Sequence, residues 1–229
     1  KTKALFHGLP AHEFRTIKEI LIKTQADLER LSESKGEITG LATGWYDFDR
    51  ITTGLHPNEL IILAARPAVG KTAFALNIAT NAAKIQDKAV AVFNLEMPAE
   101  QLATRMLSAK SRVAGQKLRT GKLDNNDWSK VNEAVSELRR QKIYIDDTPG
   151  VRVSEIFSKC RKLNAEHGLS LVVIDYIQLI TGNGKNSDNR QQEVSEISRS
   201  LKALAREIDA PVIALSQLSR QSENRQGSN

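Results

Sequence analysis

Two hydrophobic rhythms alternate along this chain of 229 residues. Phe14, Ile17, Leu21, Thr24, Leu28 and Leu31 recur at alternating short spacings, one stripe of a helix over about 11–34 that Pro10 can open. Ser32, Glu33, Ser34, Lys35 and Gly36 then read as a linker, so the pattern divides the chain into a linker region (1–35) and a main domain (36–229). Residues 37–59 are rich in turn formers, among them Gly40, Gly44, Gly54, Pro57 and Asn58, and Trp45, Phe48 and Ile51 punctuate them as a lead-in covering the edge of a core. From there apolar runs at 60–65, 90–96, 143–146, 171–176 and 211–217 predict strands. Amphipathic segments at about 73–83, 98–112, 127–140, 154–167 and 190–208 predict the helices between them. Asp124 or Asn126 is the expected cap of the third, Ser154 of the fourth, and Gly168 its stop. The segment 113–126 reads as a polar, basic connection, and 181–192, which lacks any apolar residue, as a surface loop.

The strands are apolar throughout rather than alternating with polar residues. Strands buried on both faces and separated by helices predict an α/β fold, a mostly parallel twisted sheet with helices on both sides. In such sheets ligands bind at the carboxyl ends of the strands. Three of the predicted strands end in a residue with chemistry to offer there: Glu96, Asp175 and Gln217.

The run Leu60 to Ala65 leads through Arg66, Pro67, Ala68 and Val69 into Gly70-Lys71-Thr72 and a helix. This is the order strand, phosphate loop, helix, with Ala65 where the strict pattern has glycine. Gly70 lets the backbone curl so that successive N–H groups face phosphate oxygens, and the helix start adds unpaired donors and partial positive charge. Lys71 reaches the outer phosphates, and the Thr72 hydroxyl can serve Mg²⁺. Residues 65–72 are therefore the candidate nucleotide-binding set. Asp175, ending an apolar strand about a hundred residues later, is the candidate second Mg²⁺ group. Glu96 is the candidate base for an attacking water, and Gln217 can sense a γ-phosphate.

Composition adds bounds. A net charge of +6 permits polyanion binding without showing it. The single cysteine, Cys160, excludes an internal disulfide and points to a reducing cytoplasm; its apolar helix face implies a buried, inert thiol. His7, His12, His56 and His167 are scattered and read as surface or packing residues. No apolar run nears the ~18 residues that span a bilayer, so no membrane partner is expected.

Taken together the motifs resemble a known family. Thr43-Gly44, Asp47-Phe48-Asp49, Thr53-Gly54-Leu55, the phosphate loop, Leu95-Glu96-Met97, Ile174 to Leu179, Asn189 to Glu193 and Ser216 to Arg220 look like the bacterial replicative DNA helicases of the DnaB type, within the RecA-like ATPases. The resemblance implies a homo-hexameric ring that uses ATP and Mg²⁺ to move along single-stranded DNA and part the duplex. It implies phosphate binding by Lys71, Mg²⁺ at Thr72 and Asp175, water activation by Glu96, and coupling of γ-phosphate to DNA by Gln217. It further implies DNA contacts at Lys185, Arg190 and Arg220, a leading helix docked on the neighbouring subunit, primase and a helicase loader as partners, and a bacterial cytoplasm, at the nucleoid-associated fork. In that family an N-terminal domain precedes this region, and the last strands and a trans-acting finger lie beyond Arg220, so the motor domain is expected to be truncated. Two other readings stay open: a RecA-like recombination or clock-type ATPase, from which a subunit-docking helix would distinguish the helicase, and a non-catalytic fragment that binds a loader, primase or neighbour.

Overall fold

The five strands among the described residues lie parallel in one sheet of order β1-β5-β4-β2-β3, comprising β1 (Leu60–Ala65), β2 (Ala89–Asn94), β3 (Ile143–Asp146), β4 (Leu169–Asp175) and β5 (Val212–Gln217). The computed structural model describes residues 14, 16–33, 38–85, 87–181 and 190–218, with only the backbone of Glu33, Arg190 and Gln191. β2 and β4 are buried along their whole length, which accounts for their unbroken apolar runs. Ser170 is an extra residue in β4: Ala89 faces Leu169 while Val90 faces Leu171, and the Ser170 hydroxyl donates to the Ala89 carbonyl.

Residues of alternate parity serve opposite faces. Val90, Val92, Leu171, Val173, Ile213 and Leu215 pack with α3 (Lys71–Ile85) and α4 (Ala99–Ser111). Ala91, Phe93, Val172, Ile174, Val212 and Ala214 pack with α7 (Val153–His167) and α8 (Arg190–Ile208). On α8, Ile197, Leu201, Leu204 and Ile208 are buried and Val194 packs beside them, as the spacing predicts. Each fully buried Leu or Ile of this kind contributes roughly 1.5–3 kcal/mol. Cover is incomplete at the β1 edge, where Ile62 is 44% exposed. Among the described residues β1 is an edge strand paired with β5, and Leu60 packs toward the α8 side while Ile61 and Leu63 pack toward the α3 side, so helices lie on both faces as expected.

Several bounds differ from expectation for local reasons. Helix α1 spans Ile17–Glu33 rather than starting near 11: Thr16 caps it, its hydroxyl accepting from the Glu19 N–H while the Glu19 carboxylate accepts from the Thr16 N–H. The remainder of its predicted range, 11–13, 15 and 34, falls outside the described residues. β2 stops at Asn94, so Glu96 stands two residues past the strand, in a turn. The lead-in contains α2 (Tyr46–Thr52) and the basic connection contains α5 (Gly115–Thr120), too short for a periodic signal. Helix α6 (Asn125–Leu138) is capped by Asp124, paired reciprocally with Asp127. Ser154 does not cap α7; it lies inside the first turn, and Glu155 accepts from the Arg152 N–H.

The lead-in anchors the base of the site. The buried Asp49 carboxylate accepts from the Thr43 N–H and hydroxyl and from the Gly44 N–H. The Asn81 amide of α3 donates to the Thr43 carbonyl at 2.8 Å, tying the lead-in to the helix that follows the phosphate loop. Gly44 is required there, since its φ is +85° and a Cβ would stand 2.1 Å from Asn81 Nδ2.

Candidate nucleotide-binding site

The segment between β1 and α3 leaves the sheet at Ala65 and re-enters regular structure at Lys71. Gly70 has φ +92°, which a side chain disfavours although a Cβ there would meet no atom within 4 Å. Ala68 adopts φ +64° without that freedom. Left-handed residues interspersed in such a loop turn successive N–H groups toward one side, the geometry that receives an anion.

Arg66, Pro67, Ala68, Gly70, Lys71 and Thr72 line a cleft of about 190 Å³ at the carboxyl end of the sheet. Glu96 and Gln217, from two other strands' exits, line the same cleft. Ala65 ends β1, and Val69 points outward, 63% exposed. Asp175 lies beneath: only 3% exposed, it accepts the Thr72 hydroxyl hydrogen at 2.5 Å through Oδ2. Its Oδ1 is buried without a hydrogen-bond partner. A buried, unpartnered carboxylate oxygen beside a hydroxyl is a hard-oxygen set that suits Mg²⁺. Among the described residues no group of three or more His, Cys, Asp or Glu is placed to hold a metal ion. His56 shares a hydrogen bond with Thr53, and His167 stacks on Tyr144.

Three residues join the site without having been singled out by sequence. The Lys71 ammonium stands 4.9 Å from the centre of the Tyr176 ring. Burial, and then the nearby Glu96 and Asp175 carboxylates, push the Tyr176 phenol up. Arg105, on α4, lines the same cleft; the only available signal was an arginine in the helix that follows Glu96. Asn94 fixes the turn carrying Glu96, its Oδ1 accepting from the N–H groups of Glu96 (3.1 Å) and Met97 (2.9 Å). Lys185 and Arg220 lie outside the described residues, and Arg190 is placed only as the first residue of α8.

A second hollow, about 260 Å³ and mostly apolar, lies at the β3 edge against Phe93, Tyr144 and Leu163. Cys160 borders it, and burial, aided by the Asp146 charge, pushes the thiol up to about 12, the inert state its helix face implied.

A parallel α/β sheet with a phosphate loop, a carboxylate past β2, which β5 and β4 separate from β1, and an aspartate joined to the loop threonine is the arrangement of the RecA-like P-loop fold. The chain belongs to the family of the DnaB-like helicase C-terminal domain, which it matches over residues 40–229. It is 58% identical over 93% of its length to the replicative DNA helicase DnaC of Bacillus subtilis (strain 168), of which it covers 47%. The replicative DNA helicase DnaB of Geobacillus stearothermophilus gives the same identity and coverage, 58% over 93% of this chain and 47% of that one. The chain thus spans about half the length of these relatives. Among solved structures it superposes on the ATPase domain of G40P with a TM-score of 0.85 at 36% identity, covering 93% of this chain and 75% of that one. A DnaB-like replicative helicase described with its interactions with primase gives 0.80 at 36% identity, covering 93% and 51%. The described residues include no helix long and apolar enough to cross a membrane.

Proposed function

We propose that this chain is the motor domain of a replicative DNA helicase, hydrolysing Mg²⁺–ATP to drive movement along single-stranded DNA and separation of the duplex. The observation that carries the reading is the convergence of the phosphate loop, Glu96 and Gln217 on one cleft above the Thr72–Asp175 pair. The loop N–H groups and the start of α3 receive the phosphates, and Lys71 adds a point charge. Thr72 and Asp175 would hold Mg²⁺, which when bound offsets charge on the phosphate oxygens. Glu96, exposed in the cleft, takes a proton from the attacking water in a turn held by Asn94. Gln217, a neutral amide, orients by hydrogen bonding to the γ-phosphate or the water.

Assembly as a homo-hexamer through α1 belongs to the same proposal. Ile17, Leu21 and Leu28 of α1 are exposed by 68%, 56% and 60%, an apolar stripe that a neighbouring copy would cover. Primase is inferred as a partner from the description of the solved relative. A helicase loader, and a bacterial cytoplasm at the replication fork, follow from the family resemblance.

The test is ATP turnover with and without single-stranded DNA. Turnover should rise with DNA, and Glu96→Gln should bind nucleotide normally while turning over roughly 10²–10⁴-fold more slowly. Undiminished turnover in Glu96→Gln removes Glu96 from its role. Normal nucleotide affinity in Lys71→Ala sinks the phosphate-loop assignment. DNA binding should weaken steeply with salt, because phosphate contacts release counterions. Nucleotide binding with no turnover under any condition would favour an assembly fragment instead.

A further inference from the structure

β4 pairs with β5 only from Val172↔Val212 to Ile174↔Ala214 and then ends at Asp175. β5 continues to Gln217, and its last three residues keep a strand neighbour on the β1 side alone. The carboxamide of Gln178, in the single 3₁₀ turn Ile177–Leu179, takes the vacated place on the other side. Its Nε2 donates to the Gln217 carbonyl at 3.1 Å and to the Ser216 hydroxyl oxygen at 2.9 Å. Its Oε1 accepts from the Gln217 N–H at 3.3 Å. An amide has two donors and an acceptor, so one side chain closes a paired ring on the Gln217 peptide, as a facing strand residue would.

Gln178 lies three residues past Asp175 in the chain. The same side chain therefore joins the strand exit that carries the buried carboxylate to the strand exit that carries the cleft amide. Ala65, at the mouth of the phosphate loop, holds β5 from its far side, its carbonyl accepting from the Leu218 N–H. Gln217 is thus clamped between the loop and the turn after β4, and of the two clamps only the Gln178 one is made by a side chain.

We propose that Gln178 is a positioning residue of the nucleotide site: it sets how Gln217 enters the cleft and passes any displacement of Gln217 by a γ-phosphate to the turn Ile177–Leu179. This rests on the reading of the cleft as an ATP site. Removal of the carboxamide leaves the phosphate loop intact, so it changes the response to the γ-phosphate rather than the affinity for the diphosphate.

Hydrogen exchange on the whole chain tests this, with Mg²⁺–ATPγS and Mg²⁺–ADP as ligands and a fluorescent mant-ADP titration beside it. In the wild type the amides of Ser216, Gln217 and Leu218 should exchange about fivefold more slowly with ATPγS than with ADP, the factor one hydrogen bond supplies. In Gln178→Ala that difference should vanish, while mant-ADP affinity stays within about twofold. Gln178→Met, which keeps the length and removes the hydrogen bonds, should behave alike and carries the test if the alanine variant does not fold. A merely structural role would lower affinity for both nucleotides together and leave their difference in place. A wild-type-like difference in either variant overturns the proposal, as does a wild type that binds mant-ADP yet shows none. A wild type that binds no mant-ADP overturns the ATP-site reading instead.

Discussion

Thr72 and Asp175 stand 103 positions apart in the chain, and the hydroxyl of the first donates to the carboxylate of the second at 2.5 Å. The contact brings the end of β4 against the first turn of α3, and it leaves Asp175 Oδ1 buried and unpaired. An anionic oxygen kept from water without a partner is costly unless a cation completes it. Asp175→Asn should therefore raise the Mg²⁺ concentration for half-maximal ATP turnover by about 10–100-fold. A Mg²⁺ titration of turnover reads it, and an unchanged midpoint would remove Asp175 from the metal site.

Glu96 owes its place to a neighbour. Asn94 is buried at the end of β2, and both N–H groups that its Oδ1 receives belong to the turn presenting Glu96. Asn94→Ala should reduce turnover by about tenfold through misplacement of the base, with nucleotide affinity little changed. Asn94→Ser, which keeps an acceptor, should recover part of the loss. Equal turnover in wild type and Asn94→Ala would show that Glu96 needs no such support.

Arg105, on α4, lines the same cleft as the phosphate loop. Charge-assisted hydrogen bonds to phosphate are the stronger kind, and a planar guanidinium can make two at once. Arg105→Ala should weaken ATPγS binding by about tenfold, and Arg105→Lys should restore only part of it. Equal affinity in all three proteins, measured by isothermal titration calorimetry, would place Arg105 outside nucleotide recognition.

The α5–α6 junction predicts a pH dependence. Lys117 donates to Asp127 at 2.5 Å, and that hydrogen bond holds the Asp127 carboxyl below the usual carboxylate range while raising the Lys117 ammonium. A depressed carboxyl stabilises the fold fully above its unfolded value, near 3.8, and the contribution is lost as pH falls through the folded one. A raised ammonium contributes fully below its unfolded value, near 10.5, and the contribution is lost as pH rises through the folded one. Lys117→Met should therefore cost stability at pH 7 and cost less at pH 2.5. Urea denaturation at the two pH values tests it; an equal penalty at both would mean the pair does not form in solution.

Much of the site was legible because each part is local. The phosphate loop is a contiguous motif, and Asp175 and Gln217 are marked by the ends of apolar runs. Glu96 was legible as a residue and slightly misplaced as structure, since an amide acceptor at Asn94 ends the strand two residues early. Arg105 carried no comparable signal, and Tyr176 and Gln178 stood in the sequence only as members of the run Ile174 to Leu179, with no role attached to either. Arg105 sits on an otherwise ordinary amphipathic helix, and the other two act through groups distant in sequence, Tyr176 on Lys71 and Gln178 on Gln217.

The amino-acid sequence by itself determined the element types, the parallel character of the sheet and the strand–loop–helix order around Gly70-Lys71-Thr72. Those depend on hydrophobic period and on short-range backbone geometry, which neighbouring residues settle among themselves. Only the tertiary structure decided the strand order β1-β5-β4-β2-β3, and with it which strand exits meet. Inserting β5 between β1 and β4 sets Gln217 beside the phosphate loop and within reach of Gln178, while β4 beside β2 sets Asp175 next to Asn94. Such adjacency comes from long-range packing of faces that are chemically alike, so no local pattern distinguishes one order from another.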